Sequence, residues 1–319
     1  MSEELIKVED LKRYFELESG TVKAINGISF DIEEKEVFGL VGESGSGKST
    51  TGKVLMGIHT PTEGKVTFKG QDISMHTSRR DKKIKRDMNM VFQDPGGSLN
   101  PSKTVFDIVS LPLKIHGIAD SKEERVEKVY ELLKKVDLEP ERFMYRRPSD
   151  LGQGEKQAVA IARAIATDPD FVVLDEPTSA LDVSIQAKIM NILSELQEDF
   201  DMTYLFITHD LGLMRNIATR VAIMYLGQFF ELAETHRFFE EPLHPYTKVL
   251  LSSFPTVTEE EDEMKPDVKA KGEIPSAMDP PSGCRFHTRC PYKEEICEEE
   301  PPELIEVRED HYVACHMVE

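Results

Sequence analysis

One stretch narrows the choice of fold more than any other: Gly42-Glu43-Ser44-Gly45-Ser46-Gly47-Lys48-Ser49-Thr50, which fits the pattern G-x-x-x-x-G-K-[ST]. It is entered from Glu36-Val37-Phe38-Gly39-Leu40-Val41, an apolar run that reads as a strand, and it leads into Ser49 to Gly57, whose composition suits a helix. Strand, glycine-rich turn and helix in that order make a phosphate-binding unit. Glycines let successive backbone N–H groups curl around a pair of phosphates, and the helix N-terminus adds partial positive charge where the ligand is most negative. Lys48 is then expected to neutralise the β- and γ-phosphates, and Ser49 to ligate Mg²⁺.

A second feature complements the first. Phe171-Val172-Val173-Leu174-Asp175-Glu176 sets two carboxylates at the end of an apolar strand, where doubly wound sheets present reactive groups. Asp175 is the expected second Mg²⁺ partner, and Glu176 can polarise an attacking water as general base. Strand-like runs also occur at Leu5 to Val8, Gly27 to Ile32, Gly64 to Phe68 and Tyr204 to Ile207. Between the two motifs the pattern turns helical. Ser121 to Val136 carries apolar residues at helical spacing with Ser121 and Glu124 as a capping box, and Gln157 to Ala166 is alanine-rich. The expected layout is an α/β core in two halves, 1–92 and 169–240, around a helical subdomain at 93–168. A proline-punctuated extension with an acidic run at Glu259 to Glu263 follows at 241–319.

Charge excludes one class of partner. With 39 Lys and Arg against 59 Asp and Glu, the formal net charge is −20, which repels a polyanion, so no nucleic acid is expected. The basic run Arg79 to Arg86 reads as a solvated helix face. The N-terminus, Met1-Ser2-Glu3-Glu4, opens with acidic charge and no apolar core of signal-peptide length, and no apolar run reaches the roughly 20 residues of a bilayer span; a cytoplasmic location is expected. All four cysteines, Cys284, Cys290, Cys297 and Cys315, cluster near the C-terminus. In a cytoplasmic protein that clustering favours a metal over disulfides, and four thiolates suit either Zn²⁺ or an iron–sulfur cluster.

Around the two nucleotide motifs further elements resemble those of the ATP-binding-cassette (ABC) ATPase family, in the family's order. Gln93, in Val91-Phe92-Gln93-Asp94-Pro95, matches the glutamine loop, whose amide can reach Mg²⁺ or the water. Ser179-Ala180-Leu181-Asp182 resembles the D-loop that crosses to a partner subunit, and His209 in Thr208-His209-Asp210 resembles the switch histidine. Tyr14 sits where the family carries an aromatic that stacks on adenine, with Phe15 as the competing choice. The resemblance implies a P-loop NTPase (RecA-like) α/β core, with ATP held by Tyr14, Gly42, Ser44, Gly45, Ser46, Gly47, Lys48, Ser49 and Thr50. Mg²⁺ would be held by Ser49, Gln93 and Asp175, with Glu176, His209 and Gln93 catalytic.

One element departs from the family. The signature loop, Leu-Ser-Gly-Gly-Gln, reads here Leu151-Gly152-Gln153-Gly154-Glu155. In the family this loop touches the γ-phosphate held by the partner's phosphate loop; Gly152 removes a hydroxyl, Gln153 adds bulk and Glu155 adds negative charge. A heterodimer with a different ABC ATPase subunit is therefore expected, with one competent and one impaired site.

Pro242-Leu243-His244-Pro245-Tyr246-Thr247, Gly283-Cys284-Arg285-Phe286-His287-Thr288-Arg289-Cys290-Pro291 and Ala314-Cys315-His316 resemble the C-terminal extension of oligopeptide/dipeptide importer ATPases. That resemblance implies two transmembrane permease subunits, an extracytoplasmic substrate-binding protein, a place at the cytoplasmic face of the membrane, and a [4Fe-4S] cluster in the tail, with Zn²⁺ as the alternative. Oligosaccharide or nickel cargo stays open beside peptides. The competing functions are a soluble ABC-type ATPase acting on nucleic acid or the ribosome, and a catalytically weak regulatory subunit.

Overall fold

The computed structural model of the chain describes residues 3–179, 181–253 and 266–318; Ala180 of the D-loop, Pro255 and the acidic run Glu259 to Glu263 lie outside them. Among the described residues the strands are β1 (Glu4–Leu17), β2 (Gly20–Glu33), β3 (Val37–Val41), β4 (Glu63–Phe68), β5 (Gln71–Asp72), β6 (Met88–Val91), β7 (Phe171–Asp175), β8 (Thr203–Thr208), β9 (Arg220–Tyr225), β10 (Gln228–Glu234), β11 (Ile305–Arg308) and β12 (His311–Val313). The helices are α1 (Lys48–Leu55), α2 (Lys82–Asp87), α3 (Pro95–Ser98), α4 (Val105–His116), α5 (Lys122–Lys135), α6 (Pro140–Phe143), α7 (Gln153–Ile165), α8 (Val183–Phe200), α9 (Leu211–Ile217), α10 (Thr235–Glu240), α11 (Pro245–Ser252) and α12 (Ile296–Glu299). None of these helices is long and apolar enough to cross a membrane.

The chain divides into two compact units. The first comprises chiefly Met75–Ile207. Its strands run parallel in the order β8-β7-β6, with Phe171 opposite Met88 on one side and Thr203 on the other. β7 is buried along its whole length, which is why it reads as an unbroken apolar run. The helical part carries α4, α5 and α7. Reciprocal capping boxes start α4, through Thr104 and Asp107, and α5, through the expected Ser121 and Glu124. In α7 half of the buried residues are alanine, which lets neighbouring helices approach closely. Gly154 shows how close: a Cβ there would lie 2.5 Å from Ile185 Cγ2 on α8.

The second unit comprises Glu4–Ile32, Val37–Ser74 and the chain from Thr208 onward. One sheet has the order β2-β1-β4-β5, and a second set of strands runs β11-β12-β10-β9-β3. β3 is parallel to β9, and the remaining pairs of that set are antiparallel. The sequence patterns gave no sign of β9, β10 or the C-terminal strands. β12 pairs with β10, Glu231 facing Val313 and Ala233 facing His311, so the last residues extend the same strand set.

Two features fix that junction. Glu231 is fully buried and accepts the backbone N–H of Leu243 at 2.9 Å, that of His244 at 2.9 Å, and Nε2 of His311 at 2.8 Å. His244 accepts the Tyr246 N–H through Nδ1 at 2.9 Å, capping α11; burial pushes its pKa down to about 3, which keeps that nitrogen an acceptor at neutral pH. Beside it, Tyr225, Tyr246 and Phe286 form an aromatic cluster with ring centroids 4.7 to 5.6 Å apart.

Candidate nucleotide site

The phosphate loop lies between β3 and α1, as the sequence order requires. Its turn depends on backbone that only glycine adopts without strain: Gly42 has φ 159° and Gly47 has φ 111°. A side chain would also collide, since a Cβ on Gly42 falls 2.1 Å from the Met224 carbonyl and one on Gly47 falls 2.2 Å from the Ala24 carbonyl. The loop thus lies directly on the β9 and β2 backbones. Lys48 is buried and donates to the carbonyls of Gly42 at 2.7 Å and Glu43 at 3.0 Å, so its ammonium is folded across the mouth of the turn. Thr51 returns to the Gly47 carbonyl through its N–H at 2.9 Å and its hydroxyl at 3.1 Å, closing the first turn of α1. The buried Ser46 hydroxyl has no hydrogen-bond partner, so the loop keeps a donor for a ligand oxygen. Ser44 and Gly45 are exposed at the tip, and Ser49 and Thr50 follow Lys48 in α1.

Tyr14 and Phe15, the two candidate base platforms, differ in their surroundings. Arg13 covers the Phe15 ring at 4.5 Å and His59 meets it edge-on at 5.2 Å. Tyr14 is half-buried and its hydroxyl donates to Asn26 Oδ1 at 2.5 Å, which fixes the ring in place. His209 is exposed between Thr208, whose hydroxyl accepts the Asp210 N–H at 3.0 Å, and Asp210, which caps α9 by accepting from Gly212 at 2.9 Å. These residues belong with the phosphate loop in the second unit.

Gln93, Asp175 and Glu176 belong to the first unit. Asp175 is buried at the end of β7. Glu176 has φ 46°, the left-handed region that a non-glycine residue enters at a cost of about 1 to 2 kcal/mol. Its backbone is locked there by its N–H to Ile207 O at 2.9 Å and by the Ser179 hydroxyl donating to its carbonyl at 3.3 Å. Gln93 Nε2 donates to Glu176 Oε2 at 3.0 Å, so the structure brings these two sequence candidates together. Such strain is retained where it aims a side chain.

The signature and D-loop residues also meet. Gly152, Gln153, Gly154 and Glu155 share the lining of a cavity of about 710 Å³ with Leu181 and Asp182. Leu151 is buried beneath. Asp182 caps α8, accepting from Ile185 N–H at 3.0 Å and from the Ser184 hydroxyl at 2.7 Å. Glu155 folds back, and its Oε2 accepts the Gly152 N–H at 2.8 Å, so the N-terminus of α7 is already capped by an acid of its own chain.

The four-cysteine metal expectation is not met. Among the described residues no group of three or more His, Cys, Asp or Glu side chains is arranged to hold a metal ion, and all four cysteines are free thiols. Without a metal, burial pushes the Cys284 thiol up to about 12 and raises Cys290 and Cys315 as well.

Sequence reading also passed over a set of contacts on the phosphate loop itself. Glu43 is held by Arg289 through two hydrogen bonds, at 2.7 and 3.1 Å, and its backbone N–H donates to the Tyr246 hydroxyl at 3.1 Å. The signal available was only the placement of Tyr246 and Arg289 inside the tail motifs.

Comparison with known proteins bears on both ends of this chain. The family described as ABC transporter matches residues 25–179, and the family described as Oligopeptide/dipeptide transporter, C-terminal region, matches residues 230–297. The oligopeptide transport ATP-binding protein AppF of Bacillus subtilis is 46% identical over 99% of this chain and 98% of its own length. The di/tripeptide transport ATP-binding protein DppF of Pseudomonas aeruginosa is 42% identical over 99% and 98%. Among solved structures, the dimeric ATP-binding cassette MJ0796 in a post-hydrolysis state bound to ADP and Pi is similar, with a TM-score of 0.65 and 33% identity over 72% of this chain and 98% of that one. So is cbiO1 of Clostridium perfringens, part of the ABC transporter complex cbiONQ, with a TM-score of 0.65 and 30% identity over 75% and 92%.

Proposed function

Because the chain belongs to the ATP-binding proteins of ABC transporters, in the oligopeptide/dipeptide branch, we propose that it hydrolyses ATP to power a membrane importer of small peptides. The observation that carries this reading is the glycine turn of the phosphate loop, with Lys48 folded over it by the carbonyls of Gly42 and Glu43. A polyphosphate entering the turn meets backbone N–H groups, the α1 N-terminus and the Lys48 ammonium, and stacking on Tyr14 rather than on the covered Phe15 would retain the base.

Hydrolysis transfers the γ-phosphoryl group to water: the oxygen of water bonds to γ-phosphorus, the bridging P–O bond breaks, and ADP and phosphate leave. The Glu176 carboxylate, aimed by its left-handed backbone and by Gln93, is assigned to orient that water and take its proton. The hydroxyl of Ser49, the carboxylate of Asp175 and the amide oxygen of Gln93 are hard oxygen donors of the kind that Mg²⁺ selects, and their chemistry fits the ion. Bound Mg²⁺ would offset charge on the β- and γ-phosphate oxygens. His209 is assigned to sense the γ-phosphate through its imidazole.

The solved relative that is dimeric with ADP and phosphate supports a two-subunit working unit, with Leu151 to Glu155 and Ser179 to Asp182 facing the partner's nucleotide. The self-capped α7 supports a heterodimer: with Glu155 on the Gly152 N–H, this helix N-terminus is a poor receptor for a γ-phosphate, so the site completed by this loop is the weaker of two. Membrane permease subunits follow from the family, and the helical part offers them a surface, since Leu111, Ile115 and Tyr145 are all more than half exposed. A substrate-binding protein acting through the permease and a place on the cytoplasmic face complete the proposal. For the tail, a [4Fe-4S] cluster or Zn²⁺ remains a proposal supported only by the donor set of four reduced cysteines, which a metal cation could ionise and gather.

Glu176→Gln is expected to abolish turnover of the assembled transporter while MgATP binding is retained or tightened; phosphate release at the wild-type rate would remove Glu176 from its role. Restoring Gly152→Ser, Gln153→Gly and Glu155→Gln together should raise the ATPase rate of the complex several-fold, and an unchanged rate would show that the loop as it stands is fully competent. Anaerobically purified protein should contain about one cluster or one zinc per chain if the thiols serve a metal. Protein free of iron, sulfide and zinc, yet folded and binding nucleotide, would dispose of that assignment.

A further inference from the structure

The second residue of the phosphate loop is a carboxylate, Glu43, in a turn that the proposed function fills with a polyanion. Left unpaired, that charge would repel the ligand and pull the turn toward solvent. It is instead paired bidentately with Arg289, the strongest geometry available to a carboxylate, and the Arg289 side chain is only 10% exposed, so salt screens the pair poorly. Arg289 is itself held in place: it lies 5.8 Å from the ring centroids of both Tyr225 and Phe286, and its backbone N–H donates to Phe286 O at 2.9 Å. The residue after it is Cys290.

A second contact reaches the loop from the same short turn. Arg285, the residue after Cys284, donates to the Leu226 carbonyl, and the adjoining Gly227 N–H donates to Ser46 O at 2.7 Å. Tyr246 holds the Glu43 N–H from α11. The loop is thus braced at Glu43 directly and at Ser46 through the β9–β10 turn, in both cases by arginines flanking the cysteines of 284–290.

We propose that the turn Cys284 to Cys290 is a brace for the phosphate loop, with Arg289 as a positioning residue that neutralises Glu43 and thereby sets nucleotide affinity. This rests on the reading that the loop binds a nucleoside triphosphate. The physical content is electrostatic: Arg289 matters because Glu43 is charged, and much less so if Glu43 is neutral.

The test is MgATP affinity of the full chain, measured by calorimetry for wild type, Arg289→Met, Glu43→Gln and the double variant. Arg289→Met should weaken binding at least tenfold, and adding Glu43→Gln should recover most of the loss. Unchanged affinity in Arg289→Met, with wild type binding normally, overturns the proposal and leaves the nucleotide reading intact. A loss that Glu43→Gln does not recover also overturns it, reducing Arg289 to a residue that holds the fold. Should Arg289→Met not fold, Arg289→Lys carries the same comparison: it keeps the charge but not the fork, so a smaller loss with the same recovery is expected, and no loss counts against the proposal. Wild type without affinity for MgATP would remove the function beneath it as well.

Discussion

Everything functional in this chain depends on a turn of backbone that side chains cannot enter. Gly42 and Gly47 press against the carbonyls of Met224 and Ala24, and the curl that results points two further carbonyls, those of Gly42 and Glu43, at the Lys48 ammonium. Two main-chain carbonyls thus take part in positioning the cation. A charge held this way needs little reorganisation when a polyphosphate arrives, which is the condition for electrostatic stabilisation to act at full strength. The surroundings extend that rigidity: β9 supplies the wall, and Arg289 and Tyr246 hold the residue that would otherwise swing free.

The catalytic side is organised by a different constraint. Glu176 occupies a backbone conformation that its side chain makes costly, and it does so at the end of a fully buried strand with Gln93 bonded to its carboxylate. Strain held in place by the packing beneath it is consistent with a side chain that must be aimed rather than merely present. The signature segment shows the converse. There Glu155 closes on the Gly152 N–H, and the proposal of unequal sites in a heterodimer follows from that closure.

How much of this was legible in the sequence varies with the range of the interaction. Strand, glycine turn and helix around Lys48 could be read because each is specified by adjacent residues, and the α5 capping box from Ser121 and Glu124 for the same reason. The run at Phe171 to Leu174 was legible because a buried strand reads as an unbroken apolar stretch up to the carboxylate of Asp175 at its end. What escaped was contact between distant segments. Nothing local to His311 announces that β12 will pair with β10, and nothing near Glu43 announces an arginine 246 residues away. Cysteine clustering told less: among the described residues no group of three or more His, Cys, Asp or Glu side chains is arranged to hold a metal ion. The family resemblance, in contrast, held over nearly the full length of relatives such as AppF.

The central claim is that a magnesium-bound nucleoside triphosphate is gripped by the glycine turn and Lys48. It is tested most directly by equilibrium binding of MgATP to the purified chain and to its Lys48→Ala variant, each with and without Mg²⁺. The account predicts magnesium-dependent affinity in the wild type and a loss of at least a hundredfold in the variant. Equal affinity in the two proteins, or no magnesium-dependent binding in either, would contradict it.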